Sequence, residues 1–119
     1  MAITIYHNPK CGTSRTVLEA LRDGGHAPRV VEYLKDGWTE ALLADLCKRM
    51  AVKPRDLLRS KGTPAEELGL TRPGVGDAEI LRAMVEHPIL VERPIVVTET
   101  GVFLCRPADR LNAALAGGR

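Results

Sequence analysis

Ile3 to Tyr6 is a short apolar and β-branched run that ends in His7-Asn8-Pro9, a pattern that predicts a strand running into a turn. From Ser14 the period changes. Val17, Leu18 and Leu21 share one helical face and Asp23-Gly24-Gly25 supplies a stop, which predicts a helix directly after the loop. Arg29 to Leu34, carrying Val30, Val31, Tyr33 and Leu34, reads as a second strand. A strand-helix-strand unit of this length suits a right-handed crossover, so the first two strands are expected to be parallel.

The middle of the chain follows a helical period. Thr39 is placed as an N-cap, with Trp38 before it stapled to Leu43, and Leu42, Leu43, Leu46, Cys47 and Met50 form one stripe. Pro54 is expected to open a short helix through Leu58 and Pro64 another through Leu68. Asp77 is expected to cap a longer one, in which Ile80, Leu81, Met84 and Val85 recur until Pro88. Ile95 to Thr98 and Val102 to Cys105, joined by Glu99-Thr100-Gly101, predict an antiparallel hairpin. A last helix from Pro107 buries Leu111, Ala114 and Leu115 and stops at Gly117-Gly118. The sum is one α/β domain over residues 1–119: a four-stranded mixed sheet ordered strand-helix-strand, helical insert at about 39–87, then strand-strand-helix.

Composition narrows the function classes. The 119 residues are 45% apolar and 27% charged, ordinary globular usage that excludes a disordered chain or a coiled-coil rod. Only four aromatics occur, Tyr6, Tyr33, Trp38 and Phe103, too few for a base-stacking platform, and no nucleic-acid partner is expected. The net charge of +2 comes from scattered positive residues and names no partner. Neither a basic leader with an apolar stretch nor eighteen uninterrupted apolar residues are found, so no membrane partner and a cytoplasmic location are expected, with a monomer as the default state. The three cysteines, Cys11, Cys47 and Cys105, are odd in number and far apart, which fits neither a disulfide framework nor paired zinc ligands. At least one thiol is free.

Cys11 carries the candidate chemistry. It falls between a strand and a helix, in His7-Asn8-Pro9-Lys10-Cys11-Gly12-Thr13-Ser14-Arg15, so its sulfur is expected beside the unpaired N-H groups of a helix start. A thiol of pKa about 8.5 is only ~3% ionised at pH 7, and only the thiolate attacks. Gly12 allows close backbone approach, Thr13 and Ser14 offer hydroxyls to the sulfur or to an oxyanion, and Lys10, Arg15 and a protonatable His7 add positive potential. The alternative is a small buried hydrophobe at a strand end, and the local cations and hydroxyls favour a reactive thiol over it. Ser14 occupies the second place of a C-x-x-S spacing, so an internal dithiol cycle is not available there and an outside thiol must supply electrons. His7 with Cys11 makes only two metal candidates, short of a zinc set, and neither a metal nor a bound cofactor is expected. His26 and His87 are expected as caps or solvated residues, and Cys47 and Cys105 as packing residues, with a redox part for Cys105 left open.

Four colinear stretches carry a family resemblance: Ile5-Tyr6-His7-Asn8-Pro9-Lys10-Cys11-Gly12-Thr13-Ser14-Arg15; Leu57-Leu58-Arg59 followed by Glu66-Glu67-Leu68-Gly69-Leu70; His87-Pro88-Ile89-Leu90-Val91-Glu92-Arg93-Pro94-Ile95-Val96-Val97; and Leu104-Cys105-Arg106-Pro107. Together they resemble the glutaredoxin-dependent arsenate reductase (ArsC) family. The resemblance implies a thioredoxin-like fold and the reduction of arsenate to arsenite, with glutathione as co-substrate and glutaredoxin as protein partner. It implies that Cys11 is the nucleophile, that His7 helps lower its pKa, and that Arg59, Arg93 and Arg106 bind the oxyanion. It also implies a cis peptide before Pro94. The three arginines fall at element boundaries, where a side chain can reach over the sheet edge, although each alone would read as a surface charge. On this reading the N-H groups of Gly12, Thr13, Ser14 and Arg15 complete the anion site.

Two other readings share the thiol. One is a related thioredoxin-like oxidoreductase acting on mixed disulfides, which leaves the arginines without purpose. The other is a regulator resembling the Spx family, which binds RNA polymerase and uses a C-x-x-C switch, whereas Ser14 stands at the second place here.

Overall fold

The computed structural model describes residues 2–116. These divide into two compact units, one formed by residues up to Asp36 together with those from Arg93 onward, the other by Gly37–Glu92.

The first unit holds a four-stranded sheet of order β2-β1-β3-β4, with β1 Thr4–His7, β2 Arg29–Glu32, β3 Ile95–Thr98 and β4 Gly101–Leu104. β1 runs parallel to β2 and antiparallel to β3, and β3 and β4 form the expected hairpin. Parallel pairing of β1 and β2 follows from the crossover through α1, Gly12–Asp23, whose Val17, Leu18 and Leu21 are buried. Ile5 on β1, Ile3 just before it, Val96, Cys105, Leu111 and Ala114 complete that core. Burial of such aliphatic side chains contributes roughly 1.5–3 kcal/mol each. The chain closes with a 3-10 turn, Ala108–Arg110, and α6, Leu111–Ala116; the expected stop at Gly117-Gly118 lies outside the described residues.

The second expected strand is shorter than its apolar pattern. Pairing with β1 ends at His7 opposite Glu32, so Tyr33 and Leu34 have no ladder to extend and turn instead into a short helix, α2, Tyr33–Asp36. That turn buries Tyr33 completely and leaves Leu34 exposed.

In the second unit, α3, Glu40–Met50, begins at the expected cap, where Thr39 accepts a hydrogen bond from the Leu42 N-H at 3.1 Å. Trp38, Leu43, Leu46 and Cys47 are buried, while Leu42 and Met50 at the margins of the stripe are only half-buried. α4, Pro54–Leu57, stops one residue short because Leu58 bridges Val91. The expected helix from Pro64 is only a turn: the Leu68 N-H reaches the Pro64 carbonyl, and Gly69 at φ 73° ends the winding. α5, Asp77–Glu86, has Gly76 rather than Asp77 at its N-cap, and Asp77 sits in the first turn, where its charge favours the helix dipole. No helix among the described residues is long and apolar enough to cross a membrane.

Candidate active site

The residues around Cys11 are placed by β1 and the turn after it. Alternation along β1 puts His7 on the same buried face as Ile5, toward α1. Asn8 then folds the chain over: its side-chain oxygen accepts the Lys10 N-H at 2.9 Å and its carbonyl accepts the Cys11 N-H at 3.0 Å. Cys11 thereby becomes the N-cap of α1, with extended backbone and 8% exposure. Asn8, itself 2% exposed, was not foreseen as part of this site; the Asn-Pro turn signal is what could have found it.

The sulfur is surrounded by donors. Arg106 Nη1 donates to it at 3.6 Å, and the Ser14 backbone N-H and the Arg93 side chain also favour its thiolate. Burial pushes the Cys11 thiol up, but these three donors and the Arg93 charge outweigh it, and the pKa lies below the ordinary thiol value. Arg106 Nη1 also donates to the Arg93 carbonyl at 3.5 Å, which ties the two guanidinium-bearing segments to each other. Arg93 is buried, and its Nε and Nη1 have no hydrogen-bond partner among the described residues. Buried guanidinium N-H groups left this way are costly, and an anion seated beside the sulfur would satisfy them. The Arg93-Pro94 peptide is cis, as the resemblance implies, and so is Arg106-Pro107.

His7 does not supply the positive charge expected of it. Burial holds its pKa below 6.5, with Arg22 and Arg15 pulling the same way and Glu32 opposing, so the ring is neutral at neutral pH. Its Nδ1 lies 2.6 Å from the Ser14 hydroxyl, which also accepts the Asn8 N-H at 3.1 Å. The Ser14 hydroxyl therefore faces His7 and the turn rather than the sulfur.

The remaining expected residues divide. Gly12, Thr13 and Ser14 head the helix, ahead of its first backbone bond. That bond takes the Arg15 N-H to the Cys11 carbonyl at 3.0 Å, so the Arg15 N-H is not open to an anion. The Arg15 side chain donates to the Pro9 carbonyl at 2.9 Å and braces the turn. Arg59 belongs to the second unit, where its Nη1 pairs with Glu92 at 2.9 Å and its Nε donates to the Lys61 carbonyl at 3.1 Å. Glu92 as the partner of Arg59 was not foreseen.

The other thiols differ from Cys11. Burial raises Cys47, with Asp77 and Asp56 adding to it, and burial pushes Cys105 up to about 11, partly offset by Arg110. Both are free and buried, as packing cysteines are. Among the described residues no group of three or more His, Cys, Asp or Glu could hold a metal ion.

Comparison with known proteins identifies the family. The chain matches the ArsC family over residues 6–114. Arsenate reductase ArsI2 of Synechocystis sp. is 53% identical over 107 residues, covering 90% of this chain and 76% of that protein. The arsenate reductase of Escherichia coli strain K12 is 47% identical over 107 residues with the same coverage. The structure of an arsenate reductase from Vibrio cholerae superposes with a TM-score of 0.89 at 36% identity, covering 94% of this chain and 96% of that one. The four-stranded mixed sheet is thus the thioredoxin-like sheet of arsenate reductases.

Proposed function

The chain belongs to the ArsC family, and from that premise we propose that it is an arsenate reductase whose nucleophile is Cys11, drawing electrons from glutathione and glutaredoxin in the cytoplasm and working as a monomer. One observation carries the assignment: a single sulfur capping a helix start, held by the Arg106 guanidinium at 3.6 Å, with its pKa lowered.

Arsenate enters as an anion against Arg93, Arg106 and the N-H groups of Gly12, Thr13 and Ser14, whose positive potential lets a second anion approach it. Arg59 is assigned to the oxyanion on its motif alone. The Cys11 thiolate attacks arsenic as an arsenic-oxygen bond breaks, and the departing oxygen takes up a proton and leaves as water. Glutathione then adds through its sulfur, and its thiol proton leaves with a second oxygen as water. A glutaredoxin thiolate attacks the glutathione sulfur, so that the sulfur-arsenic bond breaks with its electron pair left on arsenic, now trivalent. The products are a glutaredoxin-glutathione mixed disulfide and arsenic(III) on Cys11, which water releases as arsenite. No metal or bound cofactor takes part. Phosphate has the same shape and charge, so it should compete without turning over.

Arsenate-dependent oxidation of NADPH in the presence of glutathione, glutathione reductase and glutaredoxin tests this reading, with Cys11→Ser as the inactive control. Turnover on a disulfide substrate without arsenate would replace it with the mixed-disulfide oxidoreductase. Turnover on neither would favour the regulator.

A further inference from the structure

An opening of about 410 Å³ lies against the outer face of α1, bounded by His7, Pro9, Arg15 and Leu18 at one end and by Glu19, Arg22 and Asp23 at the other. Its volume is in the range of small-ligand sites. Cys11, Arg15, Leu18 and Arg22 fall at i, i+4, i+7 and i+11, one stripe of the helix, so the opening continues the line on which the reactive sulfur stands. Its wall is mixed in charge, and Glu19, Arg22 and Asp23 make no ion pair or side-chain hydrogen bond among the described residues. Opposite charges left apart on one face suit a ligand that itself carries both signs.

From this we infer that the α1 opening is the binding site for glutathione, an inference that rests on the proposed use of glutathione by Cys11. The tripeptide has an ammonium and a carboxylate on its γ-glutamyl end, a second carboxylate on its glycine and a thiol between them. The γ-glutamyl carboxylate pairs with Arg22 and its ammonium with Glu19 and Asp23, while the glycine carboxylate takes the guanidinium N-H groups of Arg15 not used on Pro9. Buried Leu18 floors the space between. Arg22 and Arg15 stand seven residues apart, about 10 Å along the helix, and the γ-glutamyl link spans about two extended residues, ~7 Å. Anchored this way, the thiol reaches the Arg15 end, one helical turn from Cys11. There its sulfur bonds to the Cys11-held arsenic as an arsenic-oxygen bond breaks, the thiol proton leaving with that oxygen as water.

The test is a titration of the full-length, 15N-labelled chain with S-methylglutathione, which carries the same charges but cannot react. The amides of Arg15, Leu18, Glu19, Arg22 and Asp23 are expected to shift together, Arg22→Ala to weaken that binding at least fivefold and Arg22→Lys to restore part of it. 2-Mercaptoethanol, a thiol without charges, should leave the same amides unmoved. In turnover, Arg22→Ala should raise the KM for glutathione at least fivefold with the KM for arsenate unchanged. Shifts confined to other parts of the chain, or binding that Arg22→Ala does not weaken, overturn the inference. Because the titration needs no arsenate, absence of arsenate turnover alongside intact shifts on α1 would refute the reductase reading and leave the glutathione site standing.

Discussion

Arg106 Nη1 stands 3.6 Å from Cys11 Sγ, a hydrogen bond that joins residues 95 positions apart. A charged donor on a sulfur favours its thiolate over its thiol, and the same donor can hold an oxyanion arriving at that sulfur. One side chain therefore serves the nucleophile before attack and the substrate during it.

Arg106→Ala removes both services. A hydrogen bond to a charged group is worth about 1.5–3 kcal/mol, so kcat/KM for arsenate should fall by roughly tenfold to a hundredfold or more. Cys11 should also alkylate more slowly at neutral pH, because its thiolate fraction drops. Kinetics and alkylation rates measured on the same preparation check both. A variant with wild-type arsenate kinetics would remove Arg106 from the anion site.

Ser14→Ala separates the two roles of that residue. The backbone N-H that favours the Cys11 thiolate remains, so the Cys11 pKa should stay below its ordinary value. The hydroxyl held by His7 and the Asn8 N-H is lost, leaving a buried N-H without its acceptor. We expect unfolding free energy to drop by about 1–3 kcal/mol, read from urea denaturation. A rise of the Cys11 pKa to that of an ordinary thiol would instead place the hydroxyl, not the N-H, in charge of the sulfur.

His7 gives the fold a pH dependence of definite sign. Its folded pKa is below the unfolded value of 6.5 because of burial, with Arg22 and Arg15 in support and Glu32 opposed. The folded state therefore binds fewer protons than the unfolded chain once pH drops under 6.5. Stability is fully present above 6.5 and is lost as pH falls through the folded pKa. His7→Gln should flatten this slope in urea titrations run at pH 7.5, 6.5 and 5.5. An unchanged slope would assign the titration to another group.

Much of this arrangement is legible in the sequence. The hydrophobic period changes from strand to helix across residues 3–21, and the short Glu99-Thr100-Gly101 link leaves the hairpin no other geometry; both features are local, and both appear as expected. Tyr33 and Leu34 are apolar enough for a strand, yet their conformation depends on where the neighbouring strand stops pairing, which no local pattern encodes. Pro64 offers a helix start, but Gly69, at a positive φ, ends the winding. At the site, Cys11 is recognisable from its place before a helix. The orientation of the Ser14 hydroxyl, the neutrality of His7 and the use of the Arg15 N-H by the Cys11 carbonyl depend on three-dimensional neighbours. Arg93 and Arg106 look like surface charges until the hairpin between them brings both to the sulfur.

The most direct test of the account is the pH dependence of iodoacetamide alkylation at each thiol of the folded chain, followed by mass spectrometry, with Cys47 and Cys105 as internal references. Cys11 should react fastest at neutral pH and inflect below the ordinary thiol value of about 8.5, while burial keeps the other two slow. A Cys11 inflection at or above that value, or alkylation no faster than at Cys47 and Cys105, would contradict it.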